Sequence, residues 1–197
     1  MDETEALAGV TDWDCVQKIQ KGQVDVFEVL VRRHQKTIYN LVYRMLGGNP
    51  EAAAEVAHEV FILAYKSIRQ FKGNSSFKTW VYRIAVNHAK DARANRAREK
   101  NIFSDPPGDC DFVPEIPDPS DPEDSLAKKE FWTYLQAALN RLSHEHCEII
   151  TLITIQGASY EDAAGILEIP INTVKSRLNR AREALAKECA PLLRAWS

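Results

Sequence analysis

The sequence predicts an all-α fold: two small helical domains joined by a flexible acidic, proline-rich linker, the second domain carrying a helix-turn-helix. Three observations predict it. Apolar residues recur at helical spacing through both halves of the 197-residue chain. Between the halves, Pro106, Pro107, Pro114, Pro117, Pro119 and Pro122 sit among acids, a stretch too polar to bury a core and too rich in proline to be a helix. Near the C-terminus, two helical patterns flank a tight turn at Glu168–Pro170. The expected boundaries are an N-terminal acidic segment with a short helix over 1–21, a first domain over 22–100, the linker over 101–126 and a second domain over 127–197. There is no strand series and no internal repeat.

Each helix has a local reason. Asp12 is expected to cap a short helix through Trp13, Val16 and Ile19, ended by Gly22. Phe27, Leu30, Val31, Ile38, Leu41, Val42 and Met45 keep one face until Gly47 and Gly48. Asn49, Pro50 and Glu51 read as N-cap, first-turn proline and an acid suited to the helix dipole; that helix is expected to reach about Arg69. A fourth helix follows the loop 73–76. In the second half, 126–142 is helical. Ser143 caps a helix through Ile149, Ile150, Leu152 and Ile153 that Gly157 ends, and Ser159 and Asp162 have capping-box spacing. The last helix is expected to start near Asn172 and run towards Cys189.

Charge is distributed in blocks. The total is −3, but Lys72, Lys78, Arg83, Lys90, Arg93, Arg96, Arg98 and Lys100 crowd one stretch, whereas residues 102–126 hold acids and no cation. Such blocks point to separate electrostatic tasks that cancel in the sum. The four cysteines lie far apart with no C-x-x-C spacing, which suits reduced thiols in a cytoplasmic protein. No signal peptide, membrane span or fused C-terminal sensor is expected. The chain carries no P-loop, dinucleotide-binding fingerprint or nucleophile elbow, which counts against an enzymatic reading, and no cofactor is expected.

The stretch "SYEDAAGILEIPINTVKSRLNRAREAL" carries the sharpest signal. Ala164 is small where two helices must cross. Val174, Leu178, Ala181 and Leu185 form a buried stripe, leaving Asn172, Thr173, Ser176, Asn179 and Arg180 outward with Lys175, Arg177 and Arg182 flanking. Short polar residues let a backbone approach base edges in the major groove, and the surrounding cations neutralise phosphates.

In residues 77–98, Phe77, Trp80, Val81, Ile84, Ala85 and His88 form one stripe, with Thr79, Tyr82, Arg83, Val86 and Lys90 opposite. Two readings fit: a core helix with a solvated face, or a basic helix beside a flexible polar loop that holds a single DNA strand.

Taken together, "GNSSFKTWVYRIAVNHAKD", the acidic linker and the "SYEDAAGIL…TVKSRLNRAREAL" reader resemble the extracytoplasmic-function (ECF) group of bacterial sigma-70-type sigma factors over about residues 22–194. The resemblance implies a non-enzymatic subunit that gives core RNA polymerase its specificity for stress- or signal-responsive promoters. It implies recognition and melting of a −10 element by Gly73, Asn74, Ser75, Ser76, Lys78, Arg83, Asn87 and Lys90, with a flipped base in a pocket around Asn74, Ser75 and Ser76. It implies −35 recognition by Asn172, Thr173, Lys175, Ser176, Arg177, Asn179 and Arg180. "PEAAAEVAHEVFILAY" is similar to the family's docking segment for the polymerase clamp helices, which puts Glu55, His58 and Glu59 at that surface and the second domain at the flap. Read from the residues alone, the Glu55/Glu59 face is equally a solvated charged face. Control by an anti-sigma factor, often membrane-linked, is also implied, without membrane insertion of this chain. The chain departs from the family at Ala52, Ala54 and His58, and at Glu168, where the turn often has glycine.

Two rivals stay in view. A conventional helix-turn-helix regulator would act without core polymerase. A metalloprotein would use "SHEHCEII", where His144 and Cys147 share a helix face but His146 does not; the plain alternative is a polar helix start, and no metal site is expected.

Overall fold

The computed structural model describes residues 9–102 and 126–195; the expected linker lies almost entirely outside the described residues. The described chain is helical throughout: α1 (Asp12–Gln20), α2 (Phe27–Met45), α3 (Pro50–Ser67), α4 (Phe77–Ile102), α5 (Leu126–Arg141), α6 (His144–Ile149), α7 (Tyr160–Leu167) and α8 (Ile171–Ala195). Short 3-10 turns precede α2 and follow α3, and α6 continues as a π-helical stretch over Ile150–Ile155.

Caps explain where most helices begin. Asn49 accepts a hydrogen bond from the Ala52 N–H at 2.8 Å, with Pro50 at the first helical position, an arrangement worth about 1 kcal/mol over alanine. Ser143 and Ser159 accept from the N–H groups of His146 and Asp162. The expectation for α1 is off by one residue. Thr11 is the cap, in a reciprocal box with Asp14. Asp12 instead turns to α2, where its carboxylate meets Arg33 at 2.9 Å and His34 at 2.7 Å. The His34 hydrogen bond, reinforced by Arg33, outweighs burial and holds the Asp12 carboxyl below its ordinary range.

The first unit packs α2, α3 and α4 around Leu30, Ile38, Leu41, Val42, Val60, Val81 and Ala85, all fully buried. Phe71, Phe77 and Trp80 form an aromatic knot at the start of α4, with centroids 4.9–6.2 Å apart. The second unit buries Leu139, Ile149, Ile150, Leu152, Ile166, Val174 and Leu178.

The two units are not beads on a string, because one apolar cluster runs through both. Gly47 and Gly48, both at positive φ, turn the chain after α2 where α5 arrives. A Cβ on Gly48 would meet Gln136 Cγ at 3.0 Å, so this turn admits the second unit only as glycine. There, the Asn140 amide donates to the Gly47 carbonyl at 2.9 Å, and the buried Arg44 guanidinium stacks 4.9 Å from the Trp132 ring.

This packing corrects the amphipathic reading of α4. Tyr82 and Val86, expected on the polar side, are buried at 1% and 0% exposure. The helix has two buried faces: one against α2 and α3, the other against the second unit, including α7. His88, expected in the apolar stripe, is half-exposed and bonds Glu59 on α3 at 2.5 Å.

Candidate nucleic-acid interface

The α7–α8 pair has the geometry of a helix-turn-helix. Ser159 starts α7, Ala163 is its fully buried small residue with Ala164 only half-buried, and Glu168 breaks the helix in the left-handed region at φ 55°. A residue with a Cβ is strained there by about 1 kcal/mol. The Ile169 N–H still returns to the Ala164 carbonyl at 3.1 Å, so the turn closes tightly before α8.

On α8, Val174, Leu178 and Ala181 are buried, while Leu185 is half-buried. Asn172, Lys175, Ser176, Asn179 and Arg180 are exposed on the other side, with Arg182 beside them. Thr173 is half-buried, and its carbonyl accepts the Ser176 hydroxyl at 3.1 Å. Arg177 departs from the expected row: its side chain is largely buried and pairs with Glu145 of α6 at 3.3 Å. An arginine committed to its own domain can brace the reader more readily than it can span to a base.

The loop before α4 mixes exposure with structural duty. Lys72, Gly73, Asn74, Ser75 and Ser76 are exposed. Gly73 has φ 75° and lies on the Trp13 ring, where a Cβ would come within 2.7 Å, so this close approach also requires glycine. Ser76 is the N-cap of α4: its hydroxyl accepts the Thr79 N–H at 3.0 Å and shares a 2.7 Å bond with the Thr79 hydroxyl. Asn74 and Ser75 carry no such task towards α4.

The cations of α4 have partners in the second unit. Arg83 lies 3.8 Å from Glu168, and Lys90 and Arg93 lie 3.1 and 3.7 Å from the two oxygens of Glu148. The Glu148 side chain is only 3% exposed. With two cations on it, Glu148 stays compensated when one is lost; only the loss of both would leave an unpaired buried charge, at a cost of about 3–5 kcal/mol. Lys78 reaches over the Tyr82 ring at 5.5 Å, and the Tyr82 hydroxyl donates to Gln156 at 3.1 Å. Asn87 is exposed. Sequence reasoning missed Glu148, Asp162 and Gln156 as partners of α4, because each meets α4 across more than fifty residues of sequence and nothing local marks such a long-range contact.

On α3, Glu55, His58 and Glu59 are all exposed, but they do not act as one acidic stripe. Glu59 is engaged by His88, whereas His58 lines an open groove of about 740 Å³ between α2 and α3 with Phe27, Tyr39, Phe61 and Ile62. Ala54, where the family pattern has an acid, lines the same groove. That surface is apolar and aromatic with a charged rim.

At the start of α6, Cys147 is buried with its thiol 3.7 Å from the Arg44 carbonyl, while His144 is exposed. Among the described residues no group of three or more His, Cys, Asp or Glu side chains is arranged to hold a metal ion, and no helix is long and apolar enough to cross a membrane.

A helix-turn-helix packed on a bundle with a polar loop and a basic helix defines a modular DNA-reading protein. Known proteins share both modules in this order. Residues 30–99 match the family model Sigma-70 region 2, and residues 132–185 match Sigma-70, region 4. The RNA polymerase sigma-H factor of Pseudomonas aeruginosa is 35% identical over 189 residues, covering 93% of this chain and 96% of that protein. The ECF RNA polymerase sigma-E factor of Haemophilus influenzae is 35% identical over 187 residues, covering 93% and 98%. Among solved structures, the sigma factor RpoE in complex with the anti-sigma factor NepR from Bartonella quintana matches with a TM-score of 0.66 at 26% identity, over 83% of this chain and 96% of that one. CnrH in complex with the cytosolic domain of CnrY shares the fold, with a TM-score of 0.63 at 23% identity over 93% and 97%. The chain belongs to the sigma-70 family, in its extracytoplasmic-function group. It is an RNA polymerase sigma factor, a transcription initiation factor rather than an enzyme.

Proposed function

We propose that this sigma factor brings core RNA polymerase to stress- or signal-responsive promoters in the cytoplasm. In this reading α8 recognises the −35 element, and the 73–76 loop with α4 recognises and helps melt the −10 element. The observation that carries the proposal is the exposed row Asn172, Lys175, Ser176, Asn179 and Arg180, set opposite the buried Val174–Leu178–Ala181 stripe. Short polar side chains at the entry of a rigid helix, with cations at its edge, suit base-edge readout anchored by phosphate contacts.

On α4, Arg83 and Lys90 hold strand phosphates once their acidic partners leave, and Asn74 and Ser75 shape a pocket for an unstacked base. Unstacking costs a few kcal/mol, so the pocket must return contacts of similar worth. The groove beside His58 and the rim at Glu55 and Glu59 dock on the clamp helices of the polymerase, and the second unit engages the flap. An anti-sigma factor covers these polymerase surfaces when the chain is held inactive; the solved relative bound to NepR supports this reading.

The test is in vitro transcription with core polymerase on a randomised promoter library. The expected result is a set of transcripts that depend on this chain and share an upstream and a downstream element at fixed spacing. Chain-dependent regulation without core polymerase would instead favour a conventional helix-turn-helix regulator.

A further inference from the structure

Trp13 does not follow the apolar stripe of its own helix. Val16 and Ile19 on α1 are buried, but Trp13 is 40% exposed. It does not line the apolar groove between α2 and α3, so the docking surface proposed there leaves it without a task. Its ring is nonetheless held in place. Carbons of its six-membered ring lie against Gly73, whose missing Cβ and φ of 75° permit the approach. The indole meets the Phe71 ring edge-on, with centroids 5.9 Å apart. From the last turn of α1, the Gln20 amide donates to the carbonyls of Ile68 and Phe71, each at 2.9 Å. Thus α1 grips the chain just before the loop 73–76 and sets a partly exposed aromatic ring against the first residue of that loop.

We propose that Trp13 is a stacking platform for a base of the opened −10 strand, next to the base held around Asn74 and Ser75. The proposal rests on the reading of the 73–76 loop as part of the −10 site and adds to it a residue from a different element. Flipping one base into a pocket takes a stacking partner from its neighbour. An aromatic ring beside the pocket replaces that partner, whatever the neighbouring base is. A ring already fixed by Gly73 and Phe71 loses little freedom when a base settles on it. Lys72, directly before Gly73, and Lys78, in the first turn of α4, are exposed and suit the flanking phosphates. The acids beside Trp13 are turned elsewhere: Asp12 pairs with Arg33 and His34, and Asp14 closes the capping box with Thr11. The indole is neutral, so it strengthens binding without releasing counterions and leaves the salt dependence as the cations set it.

The experiment uses holoenzyme assembled from core polymerase and the full chain, on a forked promoter probe whose −10 segment is single-stranded and comes from the library selection. Iododeoxyuridine, placed at one position of that segment at a time, crosslinks under ultraviolet light to an aromatic ring stacked on it, and peptide mass spectrometry locates the bond. The expected result is a crosslink to Trp13 from a position beside the flipped base. Trp13→Ala is expected to bind the probe about tenfold more weakly, and Trp13→Phe to keep most of the affinity. The factor lost in Trp13→Ala should be the same at about 0.1 M and about 0.3 M salt. A parent that crosslinks through residues 72–78 but not through Trp13 overturns the stacking role and leaves the −10 reading standing. That holds even if Trp13→Ala binds less well, because Trp13 is then only a brace for the loop. Crosslinks from the segment to neither Trp13 nor residues 72–78 overturn both.

Discussion

Thr79, in the first turn of α4, donates its hydroxyl to Asp162, in the first turn of α7, at 2.7 Å across 83 residues of sequence. Each residue also belongs to a helix start: the Thr79 N–H is capped by Ser76, and the Asp162 N–H by Ser159. Two local caps thus meet in one bond between the units. Thr79→Val keeps the shape and removes that bond, so it should lower unfolding free energy by about 1 kcal/mol. Asp162→Ala removes the same bond and also weakens the helix start, so it should cost more. Urea denaturation of both variants checks the ranking.

The pH dependence follows from the same carboxylate. Hydrogen bonds from Ser159 and then Thr79 hold Asp162 below its ordinary value of 3.8. Asp12 is lowered likewise, first by His34 and also by Arg33. A carboxyl whose folded pKa is depressed stabilises the fold above its unfolded value, and that contribution is lost as pH falls through the folded value. Stability should therefore fall below 3.8, and Asp162→Asn should flatten that slope. Urea midpoints measured between about pH 6 and about pH 2.5 check this.

The loop before α4 separates by residue. Ser76→Ala should destabilise the fold by about 1 kcal/mol, because it removes the α4 cap. Asn74→Ala with Ser75→Ala should leave stability near that of the parent but impair open-complex formation more than closed-complex binding. Permanganate reactivity of −10 thymines, read beside thermal melting, distinguishes these effects; equal reactivity in the double variant would remove the base pocket from this loop.

How much was legible in the sequence depended on the range of the interaction. Asn49, Ser143 and Ser159 were readable because a cap is settled within about four residues. The buried face of α8 was readable because Val174, Leu178 and Ala181 repeat at helical period. Thr11 was overlooked for Asp12, since either side chain can cap and only the distant Arg33 and His34 decide between them. Periodicity places Tyr82 and Val86 opposite the apolar stripe because it finds one buried face, and the second cover on α4 arrives from the other half of the chain. Arg177 looked like its neighbours on α8 for the same reason: its partner Glu145 is remote in sequence. The π-helical stretch after α6 had no signal in a pattern tuned to the α-helical period.

Regulation by a partner gives a competitive prediction. An anti-sigma factor that spans the α2–α3 groove and the second unit should be mutually exclusive with core polymerase. Titrating the copurified partner into preformed holoenzyme should release the sigma factor, as followed by native mass spectrometry. A stable ternary complex with full transcription would refute inhibition by masking.

The central claim is that α8 reads the upstream element. Its most direct test is promoter selection from a randomised library by holoenzymes carrying the parent chain or Arg180→Ala, with Ser176→Ala as a second variant. The account predicts relaxed preference at one or two upstream positions, equivalent to about 1–3 kcal/mol per lost base contact, with the downstream element and core binding unchanged. Identical upstream preferences in parent and both variants would contradict it.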